Sequence, residues 1–351
     1  MCPIRIVRSS LPTLTSLRFF AATAVVAFHA GTGSLGDVLP IDGFPKRLAA
    51  GGYTAVTFFF ILSGFIMVYA HAGRREVDRP DVRASTFWRL RAARILPAYL
   101  LALAIGLPSL IHEESPTWQG IIGPVLVLFL LQAWWPPVVF MWNFPAWSLS
   151  VEAAFYALFP WLSSASARLP RQWLFVIAYA LILVSSVWRA ATPVANDISL
   201  QPLPPFHLPV FIFGMALGRQ FLFGPALSPK VHGAMFCLGV VAAIAILGSP
   251  TPAWTKTDAV LAVVFSLIIF GAARPPAALA LLAHPVLVLL GEASYSIFIL
   301  HVPLRLWWSA LALGLSPWPD YLLFFAALVG FSILSFRCVE TPMRKLIAQL
   351  G

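Results

Sequence analysis

The stretch YTAVTFFFILSGFIMVYA, residues 53–70, decides the fold class. It contains no Asp, Glu, Lys or Arg. A helix of this length rises about 27 Å, because each residue adds about 1.5 Å. That rise is close to the hydrocarbon thickness of a bilayer, about 30 Å. The stretch therefore predicts a membrane-spanning helix.

Composition extends this prediction to the whole chain. Of the 351 residues, 60% are hydrophobic and 10% are charged, whereas soluble domains have about 45–50% apolar and about 25% charged residues. A water-soluble fold with so few ionic groups would expose large apolar patches and aggregate. Composition thus excludes soluble enzymes and disordered proteins.

Apolar segments of membrane-spanning length recur from one end of the chain to the other. They predict an all-α polytopic membrane protein that forms one integral-membrane domain over residues 1–351, with no separate soluble domain. We place eleven segments near 14–31, 52–71, 95–111, 121–135, 147–163, 172–190, 205–222, 231–248, 256–272, 287–306 and 320–336.

The positions of the basic residues predict the orientation. Lys and Arg concentrate at alternate segment ends, which places those ends in the cytoplasm. All the basic ends can lie in the cytoplasm only if one of the eleven segments does not cross the membrane. The best candidate for that segment is 121–135, because it is the shortest and is followed by Pro136 and Pro137. We therefore expect about ten transmembrane helices, one re-entrant or partly inserted segment, and both termini in the cytoplasm.

The loop between the second and third segments carries much of the net charge of +10. One interpretation is a topogenic loop that contacts anionic lipid headgroups. The other is a docking site for a polyanionic cytoplasmic substrate. A charge located between membrane segments does not favour nucleic acid as a partner. The loop contains Arg74, Arg75, Arg79, Arg83, Arg89, Arg91 and Arg94.

Several cofactor classes lack their sequence signatures. Cys2, Cys237 and Cys338 are far apart, and no His/Cys cluster has zinc-binding spacing. No glycine-rich phosphate loop of the Walker or dinucleotide type is present. We therefore expect no metal and no tightly bound cofactor.

Two ionisable residues interrupt the first segment, Arg18 and His29. A charged group at the centre of a span costs about 2.5–3.5 kcal/mol on insertion scales, so each is a candidate functional residue. Their separation of eleven residues corresponds to about 1100° of rotation, which puts them on one helix face about 16 Å apart. In isolation Arg18 could snorkel to the headgroups and His29 could be a packing residue. Histidine also titrates near neutral pH and can act as a general base.

Two more polar groups lie next to apolar segments. Trp147, Ser148 and Glu152 follow a proline-broken, aromatic stretch. Ser148 and Glu152 could form a helix cap with a favourably placed acid, or they could have a chemical role. Ser294 and His301 are seven residues apart and share a helix face. The Ser294 hydroxyl could simply bond its own backbone.

A GxxxG pair in the seventh segment, Gly214 and Gly218, predicts a close helix contact.

These stretches resemble the acyltransferase 3 family of multi-pass bacterial O-acyltransferases, and the resemblance covers nearly the whole chain. Its motifs occur here in the expected order: Leu17-Arg18-Phe19-Phe20 with His29, the segment that begins at Gly51-Gly52-Tyr53, Phe87-Trp88-Arg89-Leu90-Arg91 with Arg94, Trp147-Ser148-Leu149-Ser150-Val151-Glu152, and Tyr295 through His301. The family often has two consecutive acids where this chain has Glu152 and Ala153, which puts any role of the second acid in doubt.

The resemblance implies a membrane O-acyltransferase in the bacterial cytoplasmic membrane. The donor would be acetyl-CoA or another acyl-CoA, and the acceptor a hydroxyl of a polysaccharide, glycolipid or other glycoconjugate. Partners would be membrane lipid and, in some systems, polysaccharide-biosynthesis proteins. The expected catalytic residues are His29, Arg18 and Glu152, with Glu152 orienting an imidazole. The expected donor-binding residues are Arg89, Arg91 and Arg94; the expected acceptor-side residues are Trp147, Ser148, Ser294, Tyr295 and His301.

Two other classes fit the residues less well. A secondary transporter or flippase also has many spans, a broken helix and intramembrane charges. No inverted repeat is apparent in the sequence, however, and the basic residues cluster on one loop. A noncatalytic scaffold would not need His29.

Overall fold

A computed structural model describes residues 9–32, 40–73, 83–111, 117–191, 197–250 and 256–349. Every regular element within these ranges is helical, which confirms the predicted all-α class. The α-helices are α1 Pro12–Thr32, α2 Gly43–Ala50, α3 Ala55–His71, α4 Ala84–Ile105, α5 Leu107–Ile111, α6 Thr117–Leu128, α7 Trp147–Ala167, α8 Arg171–Ala191, α9 Pro204–Phe223, α10 Pro229–Gly248, α11 Asp258–Ala273, α12 Pro285–Glu292, α13 Ser294–Ala310, α14 Pro317–Ser335 and α15 Thr341–Gln349.

Fewer candidate spans are identified among the described residues than the ten crossings that the sequence predicts. Six helices among the described residues are long and apolar enough to cross a membrane, or up to eight if each of two bent pairs counts as one span. In one pair the chain bends by 95° between α11 and the short 3₁₀ helix that follows it. In the other pair it bends by 54° between α12 and α13. The chain is thus a multi-pass membrane protein with six to eight candidate spans; ten crossings stay a prediction.

Three of the predicted segments differ from simple apolar spans. Helix α4 is 22 residues long but carries Arg89, Arg91 and Arg94, and α7 is 21 residues long but is rich in serine and carries Glu152. Helix α6, in the segment predicted to fail to cross, has only 12 residues. It rises about 18 Å, well short of about 30 Å of hydrocarbon.

The most buried spans form the centre of the bundle. In the most apolar 18-residue stretch of the span that contains α3, 67% of the residues are buried, and the same fraction is buried in α9. The corresponding fraction is 17% in both α8 and α10. The peripheral helices expose large apolar side chains, such as Val184 at 65% and Leu238 at 60%. Lipid can cover these side chains, so the exposed apolar surface matches the membrane environment.

Glycines allow α3 and α9 to pack this closely. A Cβ atom on Gly64 would collide with the backbone carbonyl of Phe211, and one on Gly214 would collide with that of Ile61. Small residues at such contacts let helix backbones approach in a membrane. The close contact predicted from Gly214 and Gly218 is confirmed, and α3 supplies its own glycine to it.

Two of the prolines inside helices leave carbonyls that side chains from other parts of the chain satisfy. Pro160 has no N–H for the carbonyl of Tyr156, and the Trp88 indole Nε1 donates to that oxygen at 3.0 Å. Pro303 likewise frees the carbonyl of Ile299, and the side-chain amide of Asn143 donates to it at 3.0 Å. These bonds join α4 to α7, and the segment before α7 to α13.

The segment between α6 and α7 is a series of short 3₁₀ turns. Two non-glycine residues in it have left-handed backbone, Leu130 with φ 57° and Trp142 with φ 67°, which costs about 1–3 kcal/mol each unless the surroundings hold it. Neighbouring contacts do so: the Trp142 Nε1 donates to the Leu103 carbonyl at 2.9 Å, and the Ser150 hydroxyl donates to the Leu130 carbonyl at 2.6 Å.

Replacement of Gly64 should separate α3 from α9. We expect Gly64→Ala to lower the unfolding temperature of the detergent-solubilised protein, because overpacking of this kind costs about 1–3 kcal/mol. Gly330→Ala in α14 is the matched control, since nothing lies within 4 Å of its added Cβ. A helical Gly→Ala change without a clash gains about 0.5–1 kcal/mol. Equal stabilisation in both variants would contradict the packing argument.

Candidate functional site

A cavity of about 390 Å³ opens among α1, α3, α4, α7 and α13. Its polar wall carries three arginines from two helices, one carboxylate, and hydroxyls from α3 and α7. These side chains belong to Arg18, Arg91, Arg94, Glu152, Tyr156 and Ser63. An arginine-rich cavity inside an apolar bundle is suited to an anionic ligand.

The arginines of α4 divide between two faces. Arg91 and Arg94 line the cavity, and Arg91 packs its guanidinium 5.6 Å from the centre of the Phe87 ring and 5.8 Å from that of Tyr156. Arg89 is not among the lining residues, because two residues along a helix correspond to about 200° of rotation. Of the three predicted donor-binding arginines, the cavity therefore brings together two, and α1 adds Arg18.

Glu152 lies with the arginines. Its Oε1 accepts hydrogen bonds from the Tyr156 hydroxyl at 2.5 Å and from the Ser63 hydroxyl at 2.9 Å. Tyr156 is one turn further along the same helix, so local geometry presents its hydroxyl to the carboxylate. The predicted contact in which Glu152 orients an imidazole is not found among the described residues, where the hydrogen-bond partners of Glu152 are these two hydroxyls.

The acceptor-side residues predicted from the sequence fall into two groups in the structure, those that line the cavity and those that do not. Ser148, Ser294 and Tyr295 line the cavity. Each hydroxyl donates to a backbone carbonyl: Ser148 to Pro145 at 3.0 Å, Ser294 to Gly291 at 2.7 Å and Tyr295 to Ile95 at 2.9 Å.

Ser148 therefore does not cap α7, since it lies inside the helix and its hydroxyl donates a bond where a cap would accept one. Trp147 lies outside the cavity lining, with its ring centre 5.7 Å from that of His207 and 6.5 Å from that of Phe60.

Two histidines meet next to the cavity, behind its Phe298 side chain. The ring centres of His29 and His301 are 5.0 Å apart, and the residues are 4% and 0% exposed. The His301 Nδ1 lies 2.6 Å from the Phe298 carbonyl oxygen. Sequence predicted both as site residues, but it assigned them to separate groups because they are on α1 and α13.

An aromatic partition separates the cavity from the histidines. Phe59 and Phe298 both line the cavity, and their ring centres are 6.0 Å apart. The Phe298 ring centre is also 6.2 Å from that of His301. A ligand that contacts Phe298 in the cavity is therefore one aromatic ring from the histidine pair.

A smaller polar cavity of about 120 Å³ adjoins the first at Arg18 and Arg94. Glu340 and Arg344 line it, and Glu340 accepts a hydrogen bond from the Ser296 hydroxyl at 2.6 Å. Sequence reasoning missed this group. The sequence feature that could have indicated this group is Glu340 itself, an acid just after the last apolar segment. In the structure it ends the π-helical turn Phe336–Glu340.

Sequence reasoning also missed a buried ionic cluster that joins α3, α8, α9 and α11. The Asp258 carboxylate accepts hydrogen bonds from Arg189 Nη2 at 2.5 Å and from the Thr57 hydroxyl at 2.6 Å. His207 Nδ1 is 3.9 Å from the same carboxylate. Each of the four residues is near a helix end, where a charged group is easily interpreted as marking the end of a membrane segment. Only the fold brings the four residues together.

Fold and site together define an integral-membrane protein with an arginine-lined cavity next to a buried histidine pair. The chain belongs to the acyltransferase 3 family, whose model, an acyltransferase domain, matches residues 11–337. It is therefore an O-acyltransferase.

Curated relatives carry related names. The chain is 30% identical to the acyltransferase MdmB of Streptomyces mycarofaciens over 323 residues. This aligned region covers 85% of this chain and 79% of MdmB. It is 30% identical to the exopolysaccharide production protein ExoZ of Rhizobium meliloti, over 71% of this chain and 75% of ExoZ. It is 23% identical to the O-acetyltransferase OatA of Staphylococcus aureus, over 95% of this chain and 57% of OatA. No solved structure matches the chain.

Loss of Arg189 should destabilise the fold. Arg189→Gln leaves the Asp258 carboxylate buried without its cation, which costs about 3–5 kcal/mol when a buried pair is broken. Lys46→Gln is the control, because Lys46 pairs with Asp42 at 3.6 Å on side chains that are 53% and 95% exposed, and such pairs contribute about 0–1 kcal/mol. Thermal unfolding in detergent measures both variants. A smaller loss for Arg189→Gln than for Lys46→Gln would contradict the assignment.

Proposed function

We propose that this protein transfers an acyl group, in the first instance acetyl, from a cytoplasmic acyl-CoA to a hydroxyl of a cell-envelope or exported polysaccharide or other glycoconjugate. The observation that supports the proposal most directly is the arrangement along α1: an arginine-lined cavity near its start and a buried histidine pair near its end. One part suits a phosphate-bearing donor, and the other suits proton or acyl transfer.

The cavity has the features that an acyl-CoA donor needs. Arg18, Arg91 and Arg94 outnumber the single carboxylate of Glu152, so the polar wall is positive. The planar guanidinium group matches phosphate oxygens in bidentate fashion. Leu62, Phe59 and other apolar side chains also line the cavity, and they suit the thioester end of the donor. The basic loop of residues 74–82 lies outside the described residues, and donor docking there stays a prediction.

The histidine pair is placed to receive the acyl end. His29 is eleven residues after Arg18, about 16 Å further along the helix axis. A donor with its phosphates on the arginines would direct its thioester toward the Phe298 ring and the histidines behind it. His29 then acts as the general base for the acceptor hydroxyl, or it carries the acyl group for one step. Arg18 binds the donor.

The acceptor is expected on the opposite side of the membrane from the donor. The names of ExoZ and OatA connect similar chains with exopolysaccharide production and with O-acetyl transfer. The first name suggests a glycan as the acceptor here, and the second suggests that the acyl group is transferred to an oxygen atom. We place the protein in the bacterial cytoplasmic membrane with both termini in the cytoplasm, in contact with lipid and, where the glycan is assembled, with polysaccharide-biosynthesis proteins.

His29→Ala tests the site. We expect acylation of the glycan to be lost, because the only ring atoms that can carry the proton or the acyl group at this position are removed, while the amount of protein in the membrane stays normal. Cells that lack the natural copy are complemented with each variant, and ester-linked acyl groups on the glycan are measured. His284→Ala is the control, since His284 lies outside both cavities. Near wild-type acylation by His29→Ala would refute the assignment.

Arg91→Gln tests donor binding. The change removes one cation from the cavity and leaves a shorter, neutral polar side chain. We expect the KM for acyl-CoA to rise about tenfold or more, since a charge-assisted hydrogen bond is worth about 1.5–3 kcal/mol. Arg337→Gln, at an exposed arginine outside the cavity lining, should leave the KM unchanged. Equal KM values for the two variants would argue against donor binding by Arg91.

A transporter or flippase for a glycan or lipid precursor is the alternative. Purified protein given radiolabelled acetyl-CoA and candidate acceptors separates the two functions. An acyltransferase forms a covalently labelled product, whereas a transporter forms none.

A further inference from the structure

We infer that His301 is the base that deprotonates the acceptor hydroxyl, and that His29 carries the acyl group. This division of roles rests on the proposed acyl transfer, and it moves the proton from the histidine that the sequence favours to a second one.

The hydrogen bond of His301 defines which ring nitrogen carries hydrogen. The Nδ1 of His301 lies 2.6 Å from the carbonyl oxygen of Phe298. A carbonyl oxygen can only accept, so Nδ1 must hold the hydrogen. In the neutral ring the Nε2 atom then has a free lone pair, and this atom can take a proton.

The free nitrogen is buried and has no partner. His301 is 0% exposed, and its Nε2 makes no hydrogen bond within the described part of the chain. The Nδ1 of His29, on the adjoining ring, is also buried and unpaired. A buried polar atom without a partner is costly, and it is expected where a substrate group completes the bonding. Because Nε2 accepts, that group must donate a hydrogen bond, as a hydroxyl does.

The segment before α7 holds the backbone near His301 in a fixed position relative to the His29 ring. Pro303 frees the carbonyl of Ile299, and the side-chain amide of Asn143 bonds it at 3.0 Å. The next residue, Phe144, packs its ring centre 5.4 Å from that of His29. One short segment thus contacts both the helix of His301 and the ring of His29, and it fixes their relative position.

The reaction balances in two steps. In the first, the imidazole of His29 attacks the thioester carbon, the carbon–sulfur bond breaks, and the departing thiolate takes the ring proton that His29 loses. In the second, the acceptor oxygen attacks the acyl carbon and the bond from that carbon to His29 breaks. The hydroxyl proton passes to Nε2 of His301 and then to the freed nitrogen of His29, whose ring centre is 5.0 Å away.

His301→Asn separates a chemical role from a structural one. The asparagine amide nitrogen is as far from Cβ as Nδ1 is, so it can still donate to the Phe298 carbonyl, but the variant lacks Nε2. His232→Asn is the matched control, because His232 is also buried and its Nδ1 lies 2.8 Å from the Phe270 carbonyl. His301→Gln, which cannot take the proton either, replaces His301→Asn if the latter is not recovered folded.

Two rates are measured on purified protein. One is acyl exchange between acetyl-CoA and radiolabelled CoA without acceptor, which needs only the first step; the other is transfer to the acceptor. We expect His301→Asn to exchange at close to the wild-type rate and to transfer about 10²–10⁴-fold more slowly, the usual contribution of a general base. His232→Asn should match the wild type in both assays.

Three results would overturn the inference. They are transfer by His301→Asn at close to the wild-type rate, loss of exchange together with transfer in a folded variant, and transfer by the wild type without any exchange. If the wild type transfers nothing to any acceptor, the proposed function itself fails, and that outcome is visible before any variant is compared.

Discussion

The structure depends on the requirement that every backbone polar group within the apolar bundle finds a partner inside the protein, since hydrocarbon offers none. The chain meets this requirement at its irregular points with side chains. Trp88 bonds the carbonyl that Pro160 frees, and Asn143 bonds the one that Pro303 frees. The first bond joins α4 to α7, and the second joins the segment before α7 to α13, so the breaks in the helices become places where the bundle is held together.

The same requirement explains why the site lies where the backbone is irregular. The 3₁₀ turns before α7 have two left-handed residues, and they contact α4, α7 and α13. Helix α13 is bent relative to α12 by 54°. His29 and His301 meet beside these features, where a straight pair of apolar helices would offer no polar group to a substrate.

Two groups of buried charge among the described residues differ in character. In the first, the Asp258 carboxylate accepts hydrogen bonds from Arg189 and Thr57, and together with His207 these residues connect four helices. In the second, the arginines of the cavity outnumber the carboxylate of Glu152. A pair of opposite charges stabilises relative helix positions, whereas an excess of one sign in an open cavity suits a ligand of the opposite sign.

The sequence by itself determined the membrane class, the all-helical fold and the family, because apolar length and motif order are properties of the linear chain. It also identified Arg18, His29, Glu152 and His301, because ionisable residues are rare in apolar segments and are visible one at a time. Only the tertiary structure decided that Glu152 joins the arginines, that His301 joins His29, and that Arg189 and Asp258 form a pair. Pairings between helices depend on packing and on glycine contacts such as that of Gly64, and the separation of residues along the chain carries no information about them.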